Sequence, residues 1–322
     1  MTSPAQASVT GLMLPVMLAL IPAVMVQVWL FGFDVIVTVL VAITSALVIE
    51  ALVLRWRNLP VRAALADGSA AVTGALLGLA VAPQLGTLEL LVGVAFAIAV
   101  AKHCYGGLGR NLFNPAMAGY ALLIVSFPAA IAVWPVPGLL ESAVDGMVGA
   151  AGLDVDALSI DGISAATPLD TARASARGAS ATAHVAHTHA WMWVNAAWLV
   201  GGIGLLAHRT ITWLIPASVV AGIVLVAGVL WATAGGATPW VHLSSGASMA
   251  CAFFIATDPV SAPRDKRALL VYGMMIGAIT VLIREYGAYP DGVAFAVLLA
   301  NSCAPLLDRA TLYLITQPVD KS

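Results

Sequence analysis

Long apolar runs, separated by short polar or Gly/Pro-rich breaks, recur along almost the whole chain. A bilayer core takes about 20 apolar residues of helix, and the pattern predicts ten spans. They are Gly11–Phe31, Phe33–Leu54, Ser69–Ala82, Leu88–Cys104, Pro115–Trp134, Trp191–Ala207, Ile211–Ala232, Leu243–Ala256, Ala268–Ile283 and Gly292–Leu307. Several are short and rich in Gly. One break is long: residues 135–190, with many Asp, Ser and Thr, divide a membrane segment of residues 1–134 from a second of 191–322. An even number of spans puts both termini on one side.

Composition agrees with that class. Hydrophobic residues make up 61% of the chain and charged residues 9%, with a mean hydropathy of +0.97, well outside the range of soluble domains. The first run is too long for a signal-peptide core and has no basic lead-in, so it is expected to remain as a helix. A net charge of −2 without a basic block argues against nucleic acid as a partner.

The few cations orient the chain. With a cytoplasmic N-terminus, Arg55, Arg57, Arg62, Lys102, Arg110, Arg209, Arg264, Lys266, Arg267, Arg309 and Lys321 fall inside, and only Arg173, Arg177 and Arg284 outside. That asymmetry obeys the positive-inside rule and places the 135–190 loop in the periplasm or exterior.

The two halves also echo each other. Lys102-His103-Cys104-Tyr105-Gly106 lines up with Ile283-Arg284-Glu285-Tyr286-Gly287, and the run opening at Asn114-Pro115 lines up with that opening at Tyr289-Pro290-Asp291. Ala80-Val81-Ala82-Pro83 similarly matches Ala256-Thr257-Asp258-Pro259. Five spans per copy is odd, so the second copy must be inverted. The expected fold is therefore an all-α polytopic membrane protein of ten transmembrane helices, arranged as two inverted five-helix repeats with one long periplasmic loop. Such repeats place a functional centre at their interface, often where Pro or Gly interrupts a helix; Pro at a helix start is also ordinary first-turn chemistry.

Within the polar loop, Asp161-Gly162-Ile163-Ser164-Ala165-Ala166-Thr167-Pro168-Leu169 presents the Thr167 hydroxyl between tiny neighbours and a stiffening proline. Taken locally, the run is a turn. Other candidates are weaker. His184, His187 and His189 cluster in the loop with no Cys or carboxylate to complete a metal site. Cys104, Cys251 and Cys303 form no C-x-x-C pair, so the chain alone holds no iron–sulfur cluster. Glu50, Asp258 and Asp291 close or open spans, as interfacial helix-end charges or as steps of a cation or proton path. Small-residue runs such as Gly74–Gly78 and Gly201–Gly204 point to close helix packing.

Three longer segments carry a resemblance. Arg110-Asn111-Leu112-Phe113-Asn114-Pro115-Ala116-Met117-Ala118-Gly119-Tyr120, Phe254-Ile255-Ala256-Thr257-Asp258-Pro259-Val260-Ser261-Ala262 and Tyr289-Pro290-Asp291-Gly292-Val293-Ala294-Phe295-Ala296-Val297-Leu298-Leu299 resemble those of the NqrB/RnfD family, in order and across essentially the whole chain. Compact length and a short N-terminus place it nearer the D-type subunits of Rnf (Rsx) complexes than the B-type subunits of sodium-pumping NADH:quinone reductases. The resemblance implies FMN joined by a phosphoester to the threonine of an Asp-x-x-Ser-Gly-Ala-Thr type pattern. That pattern falls on Asp161, Ser164, Ala165, Ala166 and Thr167, with Ala165 where the family prefers Gly. Were positive φ required there, Ala would cost roughly 1 kcal/mol or more. It further implies a bacterial inner-membrane complex with A-, B-, C-, E- and G-type partner subunits. Electron transfer between ferredoxin and NAD would be coupled to sodium ion or proton movement, and a second, non-covalent riboflavin is implied as well. No loop side chain is needed as a general base. A passive small-solute channel with inverted repeats, and a scaffold subunit without flavin, suit the same residues.

Overall fold

The computed structural model describes residues 9–107, 109–135, 137, 164–165, 185–287 and 289–316. Helices dominate. In chain order, α1 (Val9–Ala19) and α2 (Ile21–Phe31) form one apolar stretch that breaks at Leu20, just before Pro22. The long α3 (Asp34–Trp56) follows, then the short α4 (Val61–Leu65), α5 (Ser69–Ala80) and α6 (Thr87–Ala95), which runs on into a π-helical turn over Phe96–Lys102. Next come α7 (Pro115–Ser126) and α8 (Pro128–Ala132). The strand β1 (Trp134–Pro135) pairs antiparallel with β2 (Ser164–Ala165), Trp134 opposite Ala165. The second half contains α9 (Val185–Ala207), α10 (Leu214–Ala234), α11 (Pro239–Ser244), α12 (Ser248–Ala250) with a π-helical turn over Cys251–Ile255, α13 (Lys266–Tyr286) and α14 (Val293–Thr316).

Among the described residues, six helices are long and apolar enough to cross a membrane: Gly11–Phe31, Asp34–Trp56, His189–Ala207, Leu214–Ala234, Lys266–Tyr286 and Val293–Thr311. The other four expected spans are present as apolar elements but are short or interrupted. The physical reason is visible in two of them. Pro128 restarts a helix where Pro115–Trp134 reads as one run, and Ser245 with Gly246 divides the Leu243–Ala256 run. His187 and His189, expected in the loop, lie inside α9; His184 is outside the described residues.

Packing explains the small residues. The buried stripe of α3 (Val35, Val39, Ala42, Ala46, Glu50 and Leu54) recurs every three or four positions and faces α5. Helix α5 is buried nearly all round. A side chain at Gly74 would lie 2.6 Å from the Ala42 carbonyl oxygen, so α3 and α5 meet backbone to backbone. In the second half α10 and α13 meet the same way: Gly222 abuts Met274, and Gly277 abuts Val219. Large apolar side chains such as Leu18, Met25, Leu40, Leu52, Leu225 and Leu306 are exposed around the outside, as lipid contact requires.

Candidate functional site

Among the described residues, three clusters of buried polar groups stand out inside this apolar body. The first lies where α3, α5 and the π-helical turn over Phe96–Lys102 converge. Lys102 is 2% exposed, and its ammonium donates at 2.7 Å to both carboxylate oxygens of Glu50 and to the Ser69 hydroxyl. The π-helical turn sets the register in which Lys102 and His103 both face inward, His103 Nε2 lying 3.3 Å from Glu50 Oε1. A cation in that setting persists only because its counter-charge is in direct contact. In the sequence Glu50 reads as a charge at or near a helix end and Lys102 only as an inside cation; the pair spans 52 positions of chain and has no local signature.

The second lies at the start of α14. Asp291 caps that helix, accepting from the Gly292 and Val293 amides, and also accepts from the Ala247 amide. Arg284, 3% exposed, donates from Nε to Asp291 at 2.8 Å and from Nη1 to the His242 carbonyl and the Ser248 hydroxyl. Burial alone would raise the Asp291 carboxyl; the Arg284 guanidinium and the backbone amides hold it below the usual aspartate range. Beside them His242 Nε2 lies 2.9 Å from Glu285.

The third joins the halves. Asn114 caps α7 by accepting from the Met117 amide, and Pro115 occupies the first helical position. Its Nδ2 donates to the Ile255 carbonyl, and its own amide donates to Asn301 Oδ1. Asn301, fully buried in α14, donates onward to Tyr272 and to the Ser261 carbonyl. Asp258 sits in the loop after the Cys251–Ile255 turn, accepting from the Val260 amide and the Ser261 hydroxyl; burial raises its carboxyl nonetheless.

Two cavities lie on either side of this junction. One, of about 150 Å³, is lined by Ser69, Lys102, Asn111, Asn114, Phe254 and Asp258 among others. The other, of about 70 Å³, is lined by Gln27, Tyr120, Trp134, Trp191, Trp198 and Asp291 among others. They open toward opposite ends of α5, and among the described residues they share only Leu76 as a wall. Of the loop residues, Ser164 and Ala165 form β2 against β1, and so sit beside Trp134 at the rim of the smaller cavity. Asp161, Ala166 and Thr167 lie outside the described residues. No group of three metal-binding side chains occurs among the described residues. Cys104 is exposed, Cys251 buried and Cys303 between the two.

A mostly helical, multi-pass membrane architecture with polar clusters at two ends and cavities between them is the class that these features define. A sequence model of the NQR2, RnfD, RnfE family matches residues 3–314, and the chain belongs to that family. Among curated proteins it is 46% identical to the D subunit of the ion-translocating oxidoreductase complex of Aeromonas salmonicida, over 93% of this chain and 92% of that one. The protein of the same name from Shewanella amazonensis is 44% identical over 93% and 91%, and that of Escherichia fergusonii 43% identical over 95% and 94%.

Proposed function

We propose that the chain is the D-type membrane subunit of an ion-translocating oxidoreductase complex of Rnf type, and that it carries FMN on Thr167. Membership of the family over residues 3–314 and the names of its relatives support the coarser part. The single feature that carries the finer part is the Asp161…Thr167 sequence. The two strand residues within it are tied to β1 at the membrane body, where a tethered redox group would be useful.

In this reading the cofactor supplies one- and two-electron chemistry, and the protein supplies position and electrostatics. A phosphoester from a threonine leaves the isoalloxazine ring free and keeps a soluble flavin from diffusing away. Electrons pass between ferredoxin and NAD through partner subunits, and sodium ions or protons move across the bacterial inner membrane. A second, non-covalent flavin such as riboflavin belongs to the same reading; the larger cavity, of about 150 Å³, is smaller than the roughly 300 Å³ or more of a typical ligand pocket and does not enclose one as it stands.

Support for inverted repeats lies in the two buried cations. Lys102 ends the fourth apolar segment and reaches Ser69 at the start of the third; Arg284 ends the ninth and reaches Ser248 in the eighth. Each is neutralised by a carboxylate. With a cytoplasmic N-terminus the Lys102 end faces inward and the Asp291 end faces the periplasm.

The test is in-gel flavin fluorescence of the SDS-denatured subunit, produced with the flavin-transferring enzyme, beside Thr167→Val. Fluorescence should survive denaturation in the wild type and vanish in the variant. A dark wild-type band would show that Ala165 or the rest of the loop blocks attachment, and would leave the scaffold or channel reading.

A further inference from the structure

We propose that His242 is a proton-binding site, taking a proton on Nδ1 and exchanging it with the aqueous phase at its own end of the molecule through the Glu285 carboxylate. The proposal rests on the functional reading above only for the use that a complex would make of that proton. The site itself stands on geometry.

His242 is 1% exposed in the short α11 and is held on two sides. Its carbonyl accepts from Arg284 Nη1 at 2.7 Å and from the Ser248 hydroxyl. Its Nε2 lies 2.9 Å from Glu285 Oε1, an oxygen that also accepts from the Ala237 amide. An ionised carboxylate only accepts, so the neutral ring carries its proton on Nε2. Nδ1 is then a bare lone pair, and it has no partner among the described residues. The Ser245 and Thr280 hydroxyls share that condition, at 0% and 1% exposure. Both belong to the same neighbourhood. Arg284 Nη2 reaches the Ser245 carbonyl at 3.5 Å, and Thr280 precedes Arg284 by one turn on the same face of α13. Buried polar atoms without partners are costly and uncommon. Three of them around one guanidinium suit a small hydrogen-bonding guest, and water carrying a proton is of that size.

Charge selects the guest. The charged groups facing His242 are Arg284 and Glu285 from α13 and Asp291 before α14. Helix α9 meets α11 through the neutral Asn195 and carries His187 and the exposed His189 further out; α10 and α12 bear no titratable side chain. Arg284 is engaged with Asp291, and among the described residues no Lys or Arg pairs with Glu285. An imidazolium at this point therefore has a carboxylate to neutralise it. Burial first, and Arg284 second, hold His242 below the ordinary imidazole range against the pull of Glu285 and Asp291, so the resting ring is neutral and able to accept. His103 offers the contrast. Its Nδ1 is also without a partner and its Nε2 lies 3.3 Å from Glu50, but Lys102 already holds both oxygens of that carboxylate. In the exchange at His242 only N–H and O–H bonds change. One proton enters on Nδ1, and the proton on Nε2 passes to Glu285, whose side chain is 14% exposed. The ring is left neutral as the other tautomer, and no electron moves.

Histidine ¹⁵N NMR of the full chain in detergent reads the ring directly, without any activity. Of the six histidines, those at 184, 187, 189 and 208 are replaced by Gln, which leaves the signals of His103 and His242. One of the two should be a neutral Nε2–H ring above the ordinary imidazole value of about 6.5 and become an imidazolium, reversibly, as the pH falls below it. Glu285→Gln keeps an acceptor but removes the charge, and should lower the midpoint of that signal alone by about one unit, a tenfold loss of proton affinity. Thr280→Val keeps the volume without the hydroxyl, and should lower it by less. A ring that stays neutral at every pH at which the chain remains folded, or one already charged at pH 8, overturns the site. Two signals that both ignore Glu285→Gln overturn it as well, and a midpoint unmoved by Thr280→Val overturns the hydroxyl lining. These outcomes do not depend on flavin or on partner subunits, so failure of the wider functional reading would leave them unchanged.

Discussion

At the scale of single residues, the strongest constraint is charge in hydrocarbon. Lys102 and Glu50 are both 2% exposed, and among the described residues neither has another full counter-charge at comparable distance. Removing one partner leaves the other desolvated and unpaired, at a cost of about 3–5 kcal/mol. Replacing both with apolar residues of similar size removes that penalty. Lys102→Met should therefore sharply lower thermal stability in detergent. Glu50→Gln should do so less, because the amide still accepts from the ammonium, and Lys102→Met with Glu50→Leu should recover most of the loss. Thermal unfolding of these variants beside wild type and Glu50→Leu, as a double-mutant cycle, measures the coupling. If the double variant recovers stability as expected but the assembled complex loses ion movement, the pair is held for function, as intramembrane charges usually are. Arg284 and Asp291 form the matching pair at the other end, but with Asp291 also capping α14. The roles of these groups are not legible from neighbours in sequence, because the carboxylate and the hydroxyl that meet each cation are brought in by other segments of the fold. What is legible is their rarity: a charge or an Asn such as Asn195 or Asn301 inside an apolar run must have a partner, and both asparagines do.

At the scale of elements, the location of each apolar run is legible in the sequence and its continuity is not. Hydropathy reports which residues avoid water, whereas a break such as that at Leu20, or the π-helical turns at Phe96–Lys102 and Cys251–Ile255, is a matter of backbone hydrogen-bond register. Those turns matter because they aim Lys102 and Ile255, one toward a counter-charge and one toward Asn114. Small residues are a more faithful guide. Gly74 with Gly78 and Gly222 with Gly277 mark two close helix contacts, α3 with α5 and α10 with α13. In lipid, close backbone approach replaces the hydrophobic drive that holds soluble helices together. Gly277→Val should thus force α13 off the Val219 carbonyl and destabilise the fold by about 1–3 kcal/mol. Gly204→Val, on α9 where a side chain would meet open space, should be close to neutral. Thermal melting of both variants beside wild type checks the contrast.

At the scale of the whole molecule, the arrangement is two cavities meeting at Leu76, with the polar junction of Asn114, Asn301 and Tyr272 beside them. One cavity belongs to the end bearing Lys102, the other to the end bearing Asp291 and the strand pair. An orientation in the membrane turns this geometry into a direction: on the positive-inside assignment the larger cavity would face the cytoplasm and the aromatic rim of the smaller cavity the periplasm. The chain offers a native probe of that orientation. Cys104 is exposed just beyond the π-helical turn at the Lys102 end, whereas Cys251 is buried and Cys303 is only partly accessible. A membrane-impermeant maleimide should label Cys104 in inverted vesicles and spare it in right-side-out vesicles. Ala234→Cys, made in a Cys104→Ser background at the exposed outer end of α10, should show the reverse pattern. Labelling of Cys104 from the periplasmic side would invert the assignment, and would place the strand pair and the aromatic rim at the cytoplasmic end.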